Sequence, residues 1–197
     1  MYLRDRGPTE IGGSGISAPG ELLVVEDVTL VPQECTSVTT ALDDTGVADY
    51  FEAQVDAGRR PEEFARLWVH THSGDCPLPS SVDEETFARV FGSADWAVMF
   101  ILARGGAVYA RLRFSAGPSG QMRIPVEIDF KRAFDASDQS AWDREYQANV
   151  RAARTELPID RFDRFDDLWL AERAWHDAAT AESIQHDTLF LPQETLR

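Results

Sequence analysis

The stretch DWAVMFILARGGAVYARLRFSAG, residues 95–117, constrains the fold most. It reads as two long strands joined by a tight turn at Gly105-Gly106, which commits the chain to a sheet. Further strand signals surround it. ELLVVEDVTLV (21–31) and TSVTTAL (36–42) are rich in β-branched residues with partial alternation, and MRIPVEIDF (122–130) predicts another strand. FARLWVHTH (64–72) is an apolar run that ends in polar residues, expected as a buried strand opening on a site. Helical patterns fall between these strands. TGVADYFEAQVDAG (45–58) places Val47, Tyr50, Phe51 and Val55 on one face, with Gly58 as a stop. SSVDEETFARVFG (80–92) predicts a helix with Ser81 and Glu84 as a capping box and Gly92 at its end. From Ser140 onward the pattern is helical, in AWDREYQANVRAA (141–153) and FDDLWLAERAWHDAATAESI (165–184), with Pro158 between them. Runs of strands with helices between them imply an α/β (α+β) class, a sheet layered with helices.

The length of 197 residues suits one domain with a terminal appendage, here expected as a domain over 1–154 and a helical extension over 155–197 packed on it. A formal net charge of −15 argues against nucleic acid as a partner, because a phosphate backbone needs a basic face. The sequence shows no signal peptide and no apolar run of membrane-spanning length, so no membrane partner is expected and cytoplasmic residence is the default. The two cysteines, Cys35 and Cys76, are then expected to be reduced, and without a CxxC pair they build neither a zinc ribbon nor a thioredoxin-type site.

Chemistry concentrates in HTHSGDCPLPSSVD (70–83), which holds two of the four histidines of the chain. On a strand, residues i and i+2 share a face, so His70 and His72 present both imidazoles to one side while Thr71 points away. Neutral imidazole is a common metal ligand, and Asp83, in the first turn of the following helix, is the candidate third ligand. The loop containing Pro77 and Pro79 can return the chain to the strand end. Two His and one carboxylate leave a fourth position open, the pattern of a catalytic zinc site. Other H-x-H architectures fit poorly. A metallo-β-lactamase would need an acid where Gly74 stands, and an amidohydrolase barrel needs about 250 residues. Cys76 is a weaker candidate ligand, and Asp75 a candidate partner for an imidazole N–H. Trp68 is expected in the core. His176 and His186 are expected at the surface, and Trp169 and Trp175 on a helix docked to the domain.

This segment resembles the metal motif of the JAMM/MPN+ metallopeptidases, prokaryotic JAB domains included. That motif is H-x-H, seven residues, then S-x-x-D, and His70, His72, Ser80 and Asp83 match it at every position. The family's upstream Glu, set just before a small-residue strand, has its counterpart in TEIGGSGIS, where Glu10 precedes Ile11-Gly12-Gly13. The resemblance spans roughly residues 9–130. Ser73 stands where many members have Pro, and the helix that many members carry ahead of the Glu would have to be supplied from elsewhere.

The resemblance implies a mixed β-sheet sandwiched by helices and one Zn2+ per chain, held by His70, His72 and Asp83. It implies Glu10 as general base and Ser80 as a donor to the oxyanion. Glu26 and Glu34 are rival bases outside the Gly-rich context. The implied activity is hydrolysis of the (iso)peptide bond after the C-terminal Gly-Gly of ubiquitin or a ubiquitin-like modifier. Such conjugates would be the partners, with E1- and E2-like proteins of the same pathway. Two other functions are compatible with the motif: a non-catalytic MPN scaffold in a larger complex, and a zinc peptidase acting on small peptides or sulfur-carrier tails.

Overall fold

A computed structural model of the protein describes residues 2–132 and 136–153. A single helical turn, α1 (Tyr2–Asp5), precedes an antiparallel pair, β1 (Gly12–Ala18) and β2 (Glu21–Thr29). The pair turns at Gly20, whose φ of 80° favours glycine. There follow β3 (Gln33–Cys35), β4 (Thr40–Leu42), α2 (Asp44–Asp56), α3 (Pro61–Phe64) and β5 (Leu67–His72). The remainder comprises α4 (Ser81–Phe91), β6 (Trp96–Ala103), β7 (Val108–Phe114), β8 (Gly120–Arg123), α5 (Gln139–Asn149) and β9 (Val150–Ala152).

Six strands form one mixed sheet in the order β2-β1-β5-β6-β7-β8. Only β5 and β6 run parallel, joined through α4, and the other neighbours are antiparallel. A smaller sheet has the order β4-β3-β9. The expected α/β class is therefore present, as a mixed sheet with several helices.

Two buried clusters hold α2, α3 and α4 to the large sheet. Trp68 of β5 and Ala97, Met99 and Ile101 of β6 pack with Phe87 of α4. That places the even-numbered residues of β5 on the side that α4 covers. Trp68 is core, as expected, with 4% of its surface exposed. The second cluster joins Ile16 of β1 and Val31 to Tyr50 of α2 and Phe64 of α3. Phe64 is fully buried and meets the Tyr50 ring edge-on at 5.8 Å. Phe64→Ala is expected to lower stability by about 3–5 kcal/mol, read as a reduced urea midpoint at unchanged slope.

Three expected elements differ in extent. The strand expected over 36–42 starts only at Thr40, because Thr36 and Thr39 close a turn by a 2.9 Å backbone bond and a 2.8 Å hydroxyl pair. The strand expected over 122–130 leaves the ladder after Arg123. Ile124 N–H still donates to Ala110 O at 3.0 Å, and then Pro125 supplies no N–H. The helix expected over 141–153 ends at Asn149, and Val150–Ala152 pairs in parallel with β3. A free strand edge overrides local helix preference there. The long hairpin is as expected, with Gly106 at a φ of 88°. No helix among the described residues is long and apolar enough to cross a membrane. The expected extension over 155–197, with His176, His186, Trp169 and Trp175, lies outside the described residues.

Candidate metal centre

The site forms where β1, β5 and the start of α4 meet. The β1–β5 register pairs Gly12 with His70, and the bond from Thr71 N–H to Ile11 O, at 2.9 Å, continues it by one step. One further step sets Glu10 opposite His72. Residues directly opposite in an antiparallel pair share a face, so Glu10, His70 and His72 all lie on the α4 side. His70 is 1% exposed and stacks on Trp68, with ring centroids 4.4 Å apart and planes inclined by 23°. That stack fixes the imidazole orientation.

Asp83 enters from α4. Ser80 caps this helix: its Oγ accepts from Asp83 N–H at 3.2 Å, and its N–H donates back to Asp83 Oδ2 at 2.7 Å. The capping box is therefore Ser80 with Asp83, one residue earlier than the expected Ser81 and Glu84. Glu84 instead forms a bidentate pair with Arg111 of β7, at 2.7 and 2.6 Å, and so ties the first turn of α4 to the sheet. Ser80 Oγ–H also donates to Asp83 Oδ2 at 2.8 Å. In this arrangement the Ser80 hydroxyl orients the carboxylate.

Three side chains converge. The Nε2 atoms of His70 and His72 are 3.1 Å apart, His70 Nε2 is 3.3 Å from Asp83 Oδ1, and His72 Nε2 is 3.3 Å from Asp83 Oδ2. A tetrahedral ion with bonds of about 2.0–2.2 Å needs donors separated by roughly 3.3–3.6 Å. The group His70, His72 and Asp83 could therefore hold a metal ion. The tautomer of His72 suits this role. Its Nδ1 lies 2.8 Å from the carbonyl of Cys76, which can only accept, so Nδ1 carries the hydrogen and the Nε2 lone pair faces the cluster. Cys76 thus contributes its backbone oxygen, and its thiol stays exposed. Asp75 packs against the Gly105 turn, so the carbonyl and not this carboxylate holds the imidazole N–H.

The electrostatics follow from the crowding. Burial drives the His70 pKa down against the pull of Asp83, so His70 stays neutral. Burial also opposes charge on His72, but Asp83, the Cys76 carbonyl and Glu10 together raise its pKa. Of the two imidazoles, His72 is therefore the one that takes a proton more readily. Burial would raise the Asp83 carboxyl, yet the two imidazoles beside it and the hydrogen bonds from Ser80 hold it well below the usual carboxylate range. Glu10, 8% exposed, is pushed up to about 7 by burial; His72 offsets part of the rise and Asp83 adds to it. The rival bases Glu26 and Glu34 are both exposed.

The structure thus gathers Glu10, His70, His72, Ser80 and Asp83 at one place. The sequence carried no sign of Arg111, of the Cys76 carbonyl or of the Trp68 stack as supports, since each acts through spatial contact. In comparisons with known proteins, no family model matches the chain. No curated protein matches it either.

Proposed function

We propose that the protein is a zinc metallo-isopeptidase of the JAMM type. Its substrate would be the bond after the C-terminal Gly-Gly of ubiquitin or a ubiquitin-like modifier. The observation that carries this reading is the position of Glu10. A buried carboxyl with a pKa near neutrality stands on the same sheet face as a donor set of two imidazoles and one carboxylate, though sixty residues separate it from His70 in sequence.

Zinc, when bound, acts as a Lewis acid that brings the pKa of water toward about 7. The chain's own residues supply the rest. Glu10, ionised near pH 7, accepts the proton of the attacking water and returns it to the leaving amine. The Cys76 carbonyl keeps the hydrogen of His72 on Nδ1, away from the donor set. Ser80 orients Asp83, and with substrate bound its hydroxyl would turn to donate to the developing oxyanion. A flexible Gly-Gly tail is a chemically suitable substrate, since it can enter extended and carries no side chain at the scissile bond. The scaffold alternative is disfavoured by the retention of every donor that metal binding needs.

The test is cleavage of isopeptide-linked di-ubiquitin and of modifier–lysine conjugates, set against linear peptides and modifier precursors. Preferential cleavage of the conjugates supports the reading, and preference for the linear peptides sinks it. The pH profile gives a second expected result. Glu10 must be ionised to act, so kcat/KM should rise with pH along an acid limb. A bound cation favours the carboxylate, so this limb should fall at or below pH 7. An acid limb above pH 8 would assign the proton transfer to another group.

A further inference from the structure

We propose that Gln33 is a positioning residue that locks Glu10 in register with His70, by using its side-chain amide as a substitute for a missing strand. The proposal rests on Glu10 acting as the base.

On the β5 edge of β1, the ladder bonds fall on odd-numbered residues, with Thr71 N–H donating to Ile11 O. The N–H and C=O of Gly12 therefore point the other way, toward the β2 side. The β2 ladder starts only at Ser14, opposite Thr29, so it offers Gly12 nothing. Gln33 fills this gap. Its Oε1 accepts from Gly12 N–H at 2.8 Å, and its Nε2 donates to Gly12 O at 2.8 Å. The second amide hydrogen goes to Val31 O at 3.0 Å, and Cys35 Sγ–H donates to Oε1 at 3.3 Å. With 3% of its surface exposed, Gln33 is a buried amide whose hydrogen-bonding capacity is fully used.

The consequence is geometric. Gly12 is the residue paired with His70, and it lies two residues from Glu10 on the same strand face. A bidentate amide on Gly12 fixes the segment that carries Glu10 relative to the strand that carries both imidazoles. A larger residue at position 12 would press on the small sheet, since a Cβ there would sit 3.1 Å from Thr40 Cγ2. The Glu10 N–H is held as well, by Thr36 O at 2.8 Å, just beyond β3. The small sheet thus grips the base segment through one side chain and one carbonyl.

The test compares Gln33→Met, similar in volume but without the amide, and Gln33→Asn, which keeps the amide on a shorter arm. Two readouts are taken. In the metal-free protein, amide hydrogen exchange at Gly12 should quicken by at least about 10-fold in Gln33→Met, more than at residues paired elsewhere in β1. In the zinc-loaded protein, kcat should fall by about 10–100-fold with KM and zinc affinity changed less than about 2-fold. The same substitution should cost little further activity in a Glu10→Gln background. Unchanged exchange at Gly12, or an equal loss of kcat with and without Glu10, would overturn the proposal. If Gln33→Met does not fold, the same readouts are taken on Gln33→Asn. If wild type cleaves no conjugate, the proposed function fails, and the exchange readout still decides whether Gln33 holds Gly12.

Discussion

Glu10→Gln is expected to lose at least about 100-fold in kcat, and up to about 10,000-fold, while binding zinc as tightly as wild type. Glutamine occupies nearly the same space but cannot accept the proton of water. Because Glu10 is not among the three converging donors, its replacement leaves the metal group intact. The same substitution should also stabilise the metal-free protein above neutral pH. The ordinary pKa of this carboxyl is 4.5, and in the folded chain it lies at about 7. Between these values the folded state binds more protons than the unfolded one, so Glu10 removes stability as pH rises through that window. Glutamine does not ionise and escapes the loss. Urea midpoints at pH 5 and pH 8 should show the variant gaining on wild type only at the higher pH, by on the order of 1–3 kcal/mol. A variant with full turnover would show that Glu10 is not the base.

The second large effect is expected at Asp83. Asp83→Asn keeps the shape of the side chain but removes the only negative charge among the three donors. Loss of a partner outside the coordination sphere already weakens metal binding by about 10–100-fold, so loss of a ligand should exceed about 100-fold. The cap on α4 would also weaken, since Asn can still accept the Ser80 N–H but with a neutral oxygen. In wild type, zinc affinity should depend on pH through His72. Its raised pKa means that protons begin to compete with the metal above the ordinary imidazole value, and affinity should fall as pH drops through that range. Competition titration against a chelating dye at several pH values checks both statements. Zinc affinity in Asp83→Asn equal to that of wild type would remove Asp83 from the ligand set.

Much of the site was legible because its parts obey short-range rules. The i, i+2 spacing of His70 and His72 needs only a strand, and the apolar lead-in through Trp68 marked that strand. The placement of Asp83 needs only a helix start, which the Ser81–Glu84 spacing signalled one residue late. A second Ser-x-x-acid spacing, Ser80 with Asp83, overlaps that one and explains the misplaced cap. Ser80 with Asp83 and Ser81 with Glu84 are equivalent in sequence, and the choice is made by tertiary partners, Asp83 meeting the imidazoles and Glu84 meeting Arg111. The pairing of Val150–Ala152 with β3 was illegible for a similar reason, since a parallel partner more than one hundred residues away overrides the local helical pattern. Gln33 gave no signal at all. A glutamine in VPQEC reads as an ordinary polar residue until the missing neighbour of Gly12 is seen.

The central claim is that His70, His72 and Asp83 share one ion. Zinc stoichiometry combined with zinc-edge X-ray absorption on the full chain tests it most directly. The expected result is one zinc per chain, with two imidazole nitrogens and a carboxylate oxygen at about 2.0–2.2 Å, and loss of that signal in Asp83→Asn. A chain that takes up no zinc, or a zinc shell without imidazole, would contradict it.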